Sequence, residues 1–204
     1  VQNPKLPFQF AKLAFEKALI ASGLTYSIVR PTAFFKSLSG QIPRLRKGKA
    51  FLVFGNGELT ACKPISDDDL GNFMVDCIAD PAKHNKILPI GGPGPAFTPR
   101  DQARALFSLL GRPIKLRRVP VALLRIISGA LRLAGVLIPA AQRKADLAEI
   151  GLYYATESML VWNGPEQGYS EENTTSTGTE HLFDHYAKVM RSGADVPRGD
   201  HSVF

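Results

Sequence analysis

Apolar residues Phe8, Ala11, Phe15, Ala18 and Leu19 recur at helical spacing between Lys5 and Ser22, which predicts an amphipathic helix stopped by Gly23. The run LTYSIVR, positions 24–30, then reads as a buried strand ended by Pro31. A helix feeding such a strand is half of a parallel α/β unit. Ligands of open α/β sheets bind beyond the carboxyl ends of the strands, which places the loop RPTAFFK against one. Lys12 interrupts the apolar face of the first helix, on the same side as Phe8 and Leu19. Its ammonium either snorkels to solvent or reaches an anion or hydroxyl at the mouth of a cleft.

Further along, FLVF and LTACK read as two short strands joined by a GNGE hairpin turn. Ser66 and Asp69 form a capping box for a helix over DDDLGNFMVDCIA. KILPI is the next strand, GGPGPAF a loop, and Thr98-Pro99 the cap and first residue of a helix that stops at Gly111. IKLRRV follows as a strand. An apolar helix is predicted from Val121 to Ile138, then helices over 144–158 and 180–191, and a tail expected to be mobile. The glycines of GGPGP lack the strand, G-x-G-x-x-G and helix order of a phosphate cradle and read as a structural turn.

With 204 residues, 45% of them hydrophobic, the chain can bury a substantial core. The net charge of +7 comes from basic residues without interleaved aromatics, so nucleic acid is not the expected partner. Cys62 and Cys77 have neither C-x-x-C spacing nor a histidine at ligand spacing, which argues against zinc and a disulfide scaffold and for a reducing compartment. His181 and His185 stand at i, i+4 without a third ligand, so no metal is expected, and the triplet Asp67 to Asp69 suits a helix N-terminus. Arg125 and Arg132, seven apart, make membrane insertion of the Val121 to Ile138 helix costly; a buried or interfacial amphipathic helix fits better, leaving peripheral membrane association open. The chain begins with Val1 at the foot of a helix, and we expect it to be part of a longer protein.

Phe8-x-x-x-Lys12 on a helix, then a strand, then the Pro31-Thr32 loop resembles the second half of the nucleotide-binding domain of the atypical, NmrA-like short-chain dehydrogenases/reductases. Their motif is usually Y-x-x-x-K; Lys12 matches the lysine, and Phe8 replaces the tyrosine. The runs FQFAKLAFEKAL, GLTYSIVRPTAFFKSLSGQI, ACKPIS, ILPIGGPG and YYATESMLV are similar to the branch of that family that uses NADPH to reduce a vinyl group on a chlorophyll precursor.

The resemblance implies an α/β fold. Residues 1–35 would be the C-terminal part of a Rossmann-like, doubly wound domain whose Gly-rich half is absent. Residues 36–204 would be mainly a smaller α+β substrate-binding region, with some elements returning to the Rossmann sheet. It implies that Lys12 is catalytic and binds the cofactor with Pro31, Thr32, Ala33 and Phe34, and that this length alone is inactive. Loss of the tyrosine fits a reducible C=C bond, which still needs a hydride and a proton. Tyr153 and Tyr154 are candidate proton sources or packing residues. A flat tetrapyrrole with a carboxylate could also meet Phe35, Lys36, Arg125 or Arg132. The compartment would be a plastid in a eukaryote and the cytoplasm in a bacterium. An NADP-sensing regulator of the NmrA type without catalysis, or a reductase of plant phenolics, would share the fold.

Overall fold

The computed structural model describes residues 3–192. Helix α1 (Pro7–Ala21) starts with proline at its first position and is capped by Gln9, whose Oε1 accepts from the backbone N–H groups of Lys5 and Leu6 at 2.8 and 3.0 Å. Strand β1 (Ser27–Pro31) follows and pairs in parallel with β3 (Lys86–Gly91), Ser27 opposite Lys86 through Pro31 opposite Ile90. β7 (Thr175–Ser176) joins the far edge of β3, so the sheet order is β1-β3-β7 and β1 is terminal. Helix α4 (Asp67–Ala79) packs on β1. Its capping residue is Ser66, whose Oγ accepts from Asp69 N–H at 3.0 Å; the reciprocal half of the expected capping box is missing, because Asp69 Oδ2 accepts from the Thr179 and Glu180 N–H groups instead.

A second layer surrounds the core. After β1 the chain turns through two short helices, α2 (Phe35–Leu38) and α3 (Ile42–Arg46), into β2 (Phe51–Phe54). β2 pairs in parallel with β4 (Leu116–Val119), which arrives after α5 (Pro99–Leu109). Ile42, Leu45, Phe51, Val53, Leu106 and Tyr186 close the core with α8 (Leu182–Ser192).

This pairing corrects the expected hairpin. Gly55 and Gly57 do make a positive-φ turn, but Gly55 N–H bonds Val119 O and Gly57 O accepts from Arg100, so the turn hands the chain toward α5 instead of back along β2. LTACK is not a strand. Cys62 makes only isolated bridges to Phe97 and Met159, while Ile65 bridges Phe34 and bonds Ala33 O at 2.8 Å.

The apolar helix is also shorter than expected. It forms α6 (Val121–Gly135), and the following helix α7 begins early, at Pro139, and runs to Thr156. The two form an antiparallel hairpin in which a Cβ on Gly135 would stand 3.0 Å from Gln142 Cα. β5 (Val161–Trp162) and β6 (Tyr169–Ser170) form a small antiparallel ladder after α7. No helix among the described residues is long and apolar enough to cross a membrane. The tail expected to be mobile lies almost wholly outside the described residues.

Candidate active site

A cleft of ≈ 310 Å³ opens where α1, the carboxyl end of β1 and the end of α7 converge. Its lining includes Phe8, Lys12, Pro31, Thr32, Phe34 and Tyr154. Tyr153 shares it, and Val29, Pro89, Met159 and Leu160 extend the apolar wall. Residues more than 140 positions apart are thus gathered at the strand end where an open α/β sheet receives a ligand. Lys12 also borders a shallower groove of ≈ 460 Å³ between α1 and β1, so its ammonium stands at the junction of two hollows.

The local structure fixes these groups. Lys12 is exposed at the rim of the cleft, and its Nζ lies 5.8 Å from the centroid of the Phe8 ring, about one turn away. It has no ion pair with a described residue. The Arg30 guanidinium clamps Glu16, two hydrogen bonds that lock α1 to β1 and hold the charge of Glu16 beside Lys12 in the cleft wall. The Thr32 hydroxyl donates to Lys63 O and its N–H to Ile90 O, leaving oxygen lone pairs for a cleft ligand.

The glycines after β3 are explained by the same neighbourhood. A Cβ on Gly92 would lie 1.8 Å from Pro64 O, and one on Gly91 2.4 Å from Lys63 Cβ. They let β3 run against the Lys63–Pro64 backbone, the close approach for which glycine is suited. Lys63 itself, only 6% exposed, donates from Nζ to Thr174 O and Ser176 Oγ, pinning the third strand. Sequence reasoning did not single out Lys63, because its role depends on partners over a hundred positions away.

The two tyrosines differ. Tyr153 donates its hydroxyl to Asn3 O at 3.2 Å and adjoins a polar network in which Tyr169, Asn3 and Lys5 converge on Glu157. Tyr154 stacks edge-on against Tyr153, with ring centroids 5.4 Å apart, and its hydroxyl makes no hydrogen bond with a described residue. Burial raises the pKa of both phenols above the ordinary value near 10.

The remaining candidates lie outside the lining of this cleft. Ala33 is buried and uses its carbonyl to hold Ile65; Phe35 is buried in the core against the His185 ring. Lys36 pairs with Asp67 at 3.0 Å on the surface. Arg125 is exposed on α6, and Arg132 pairs with Glu149 of α7. His185 Nε2 lies 3.2 Å from Ser39 Oγ, a packing contact and not a ligand set. The arrangement in the cleft can seat a flat, largely apolar ring against Phe8, Pro31 and Phe34, with one cation and one phenol available to its polar edge.

No protein-family model matches the chain. It is 48% identical over 200 residues to divinyl chlorophyllide a 8-vinyl-reductase, chloroplastic, of Arabidopsis thaliana, covering 95% of this chain and 48% of the relative. The rice (Oryza sativa subsp. indica) protein of the same name is 46% identical over 210 residues, covering 100% of this chain and 52% of the relative. The chain thus spans about half the length of the curated relatives it matches.

Among solved structures, leucoanthocyanidin reductase of Vitis vinifera, in its binary complex with NADPH, superposes with a TM-score of 0.60 at 15% identity, over 93% of this chain and 64% of that one. An NADPH-dependent quinone oxidoreductase of Escherichia coli superposes with a TM-score of 0.58 at 17% identity, over 91% of this chain and 60% of that one. At such identities the likeness bears on the fold. By sequence the chain is similar throughout its length to the divinyl chlorophyllide a 8-vinyl-reductases, and its fold is the Rossmann-like α/β arrangement of these two solved structures.

Proposed function

We propose that the chain is the substrate-facing portion of an NADPH-dependent reductase that converts the 8-vinyl group of divinyl chlorophyllide a, or of the corresponding protochlorophyllide, to ethyl. The observation that carries this reading is the cleft in which Lys12, Phe8, Thr32 and Tyr154 meet at the carboxyl end of β1. Its apolar walls, the Lys12 ammonium and the Tyr154 hydroxyl fit the nicotinamide and ribose end of a dinucleotide. The Gly91–Gly92 backbone, outside the cleft lining and closed against Lys63 and Pro64, offers no cradle for a pyrophosphate. The chloroplastic relatives support a plastid location.

When bound, NADPH supplies the hydride for one vinyl carbon. Lys12 would hold the ribose hydroxyls by hydrogen bonds from its ammonium and so orient the nicotinamide. Phe8 offers a face in place of a phenol, so no proton is delivered from that position. The other vinyl carbon takes its proton from the hydroxyl of Tyr154, which is uncommitted within the described chain and kept protonated by its raised pKa. Phe34, Pro31 and Met159, which line the cleft, would keep water from a reacting vinyl group seated there.

The test is a chimera in which this chain replaces the corresponding half of the Arabidopsis relative. Incubated with NADPH and divinyl chlorophyllide, it is expected to give the monovinyl product, resolved by chromatography. A chimera that folds and binds NADPH yet gives no product, where the parent does, overturns the reading.

A further inference from the structure

The α6–α7 hairpin carries an apolar surface that the rest of the described chain leaves uncovered. Leu133, Val136, Leu137 and Ile138 surround its turn; Val136 is 78% and Leu137 87% exposed. The strip continues along α6 through Leu123, Ile126 and Ile127, all exposed. Taken at 100° per residue, Leu123, Ile126, Ile127 and Leu133 occupy about a third of the helix circumference, whereas Ser128, buried against the hairpin interior, points elsewhere. This is the profile of a helix that lies in an interface, not of one that seals a core.

Charge identifies the other side of that interface. Between Asp101 and Asp146 the sequence contains no acidic residue and nine Lys or Arg. Arg117 and Arg118 are exposed on β4 at the foot of α6, Arg125 on α6, and Arg143 and Lys144 about one turn into α7 beside the apolar tip. Arg132 is balanced by Glu149, but Arg125, Arg143 and Lys144 make no ion pair with a described residue. Exposed leucines at a turn flanked by cations match a surface that is apolar inside and anionic at its face. A nucleic acid or an acidic protein would be satisfied by the charges alone and would leave Leu137 without a role.

We infer that the α6–α7 hairpin docks this protein on an anionic lipid bilayer, Val136, Leu137 and Ile138 entering the acyl boundary and Arg143 and Lys144 meeting lipid headgroups. The inference stands on the hairpin alone and is independent of the chemistry in the cleft.

Flotation of the full chain with phosphatidylcholine vesicles, with and without about one third phosphatidylglycerol, tests it. Binding is expected to the anionic vesicles and to fall as salt is raised. The double variant Val136→Glu with Leu137→Glu should abolish it, and because both side chains are exposed the fold should be retained by circular dichroism. Arg143→Gln and Lys144→Gln should each weaken it about fivefold. Failure of the wild-type chain to float, or undiminished flotation of the Val136/Leu137 variant, overturns the inference. So does a chain that is dimeric by sedimentation, becomes monomeric in that variant, and ignores vesicles, since the face would then belong to a second copy.

Discussion

The Lys12 ammonium lies 5.8 Å from the centroid of the Phe8 ring, so a cation at the cleft rests beside an aromatic face about one helical turn before it. The pair orients Lys12 without neutralising it, leaving its three N–H donors for a ligand. In the chimera described above, Lys12→Met keeps the stem and removes the donors. Turnover is expected to fall about a hundredfold, as for a displacement of about 1 Å in the bound ring, with weaker NADPH binding and unchanged thermal stability. Steady-state kinetics with NADPH titration measure this; full activity would make Lys12 a surface residue.

Tyr154→Phe and Tyr153→Phe should separate chemistry from structure. Loss of the Tyr154 hydroxyl removes a proton source and is expected to lower kcat by about 10²-fold or more with little change in KM. Loss of the Tyr153 hydroxyl breaks its bond to Asn3 O and should cost about 1 kcal/mol of stability while sparing kcat. Because burial raises the Tyr154 pKa, the acid form persists as pH rises through 10, and activity should not decline with the titration of an ordinary phenol.

His185 should make stability depend on pH. Its pKa is held below 6.5, first by burial and then by Lys188, with Glu180 and Asp67 opposing. The unfolded chain therefore binds the proton more readily than the folded one. The stabilisation is complete above the unfolded value and declines as pH drops through about 6.5 toward the lower folded value. Urea midpoints on either side of that range should show the decline, and His185→Gln should flatten it.

Two glycine substitutions of opposite sign check the backbone account. Gly92→Ala would put a Cβ 1.8 Å from Pro64 O, which cannot yield without disturbing the Lys63–Ile65 segment. A cost of about 3 kcal/mol or more is expected. Gly129 is inside α6 with nothing within 4 Å of its added Cβ, so Gly129→Ala should stabilise by about 0.5–1 kcal/mol. Thermal unfolding of both variants compares them directly.

What the sequence revealed was local. The start of α1, the β1 strand, the Ser66 cap and the Thr98 cap all follow from neighbouring residues, and each is found. Pairing was not legible in the same way. FLVF and LTACK looked like a hairpin because only a few residues separate them, whereas the true partner of Phe51 is Leu116, reached through α4, β3 and α5. In the candidate site, Lys12 and the Pro31-Thr32 loop announce themselves by breaking a periodic pattern. Tyr154 is a candidate beside Tyr153 in the sequence, and it is the fold that sets them apart, Tyr153 bonding Asn3 O and Tyr154 lining the cleft without such a partner. Pro139 was read as the residue that closes one helix, and it serves as the first residue of the next.

The place of β1 at the end of the order β1-β3-β7 has a practical consequence. Its outer side offers a row of backbone donors and acceptors that no described strand takes up, beside the exposed ring of Phe15 on α1. Such an edge is a template for any extended peptide able to lie parallel to it. Preparations of the chain should therefore gain solubility from a short apolar peptide supplied in trans, and lose it when concentrated in high salt, where the net charge of +7 no longer keeps the molecules apart.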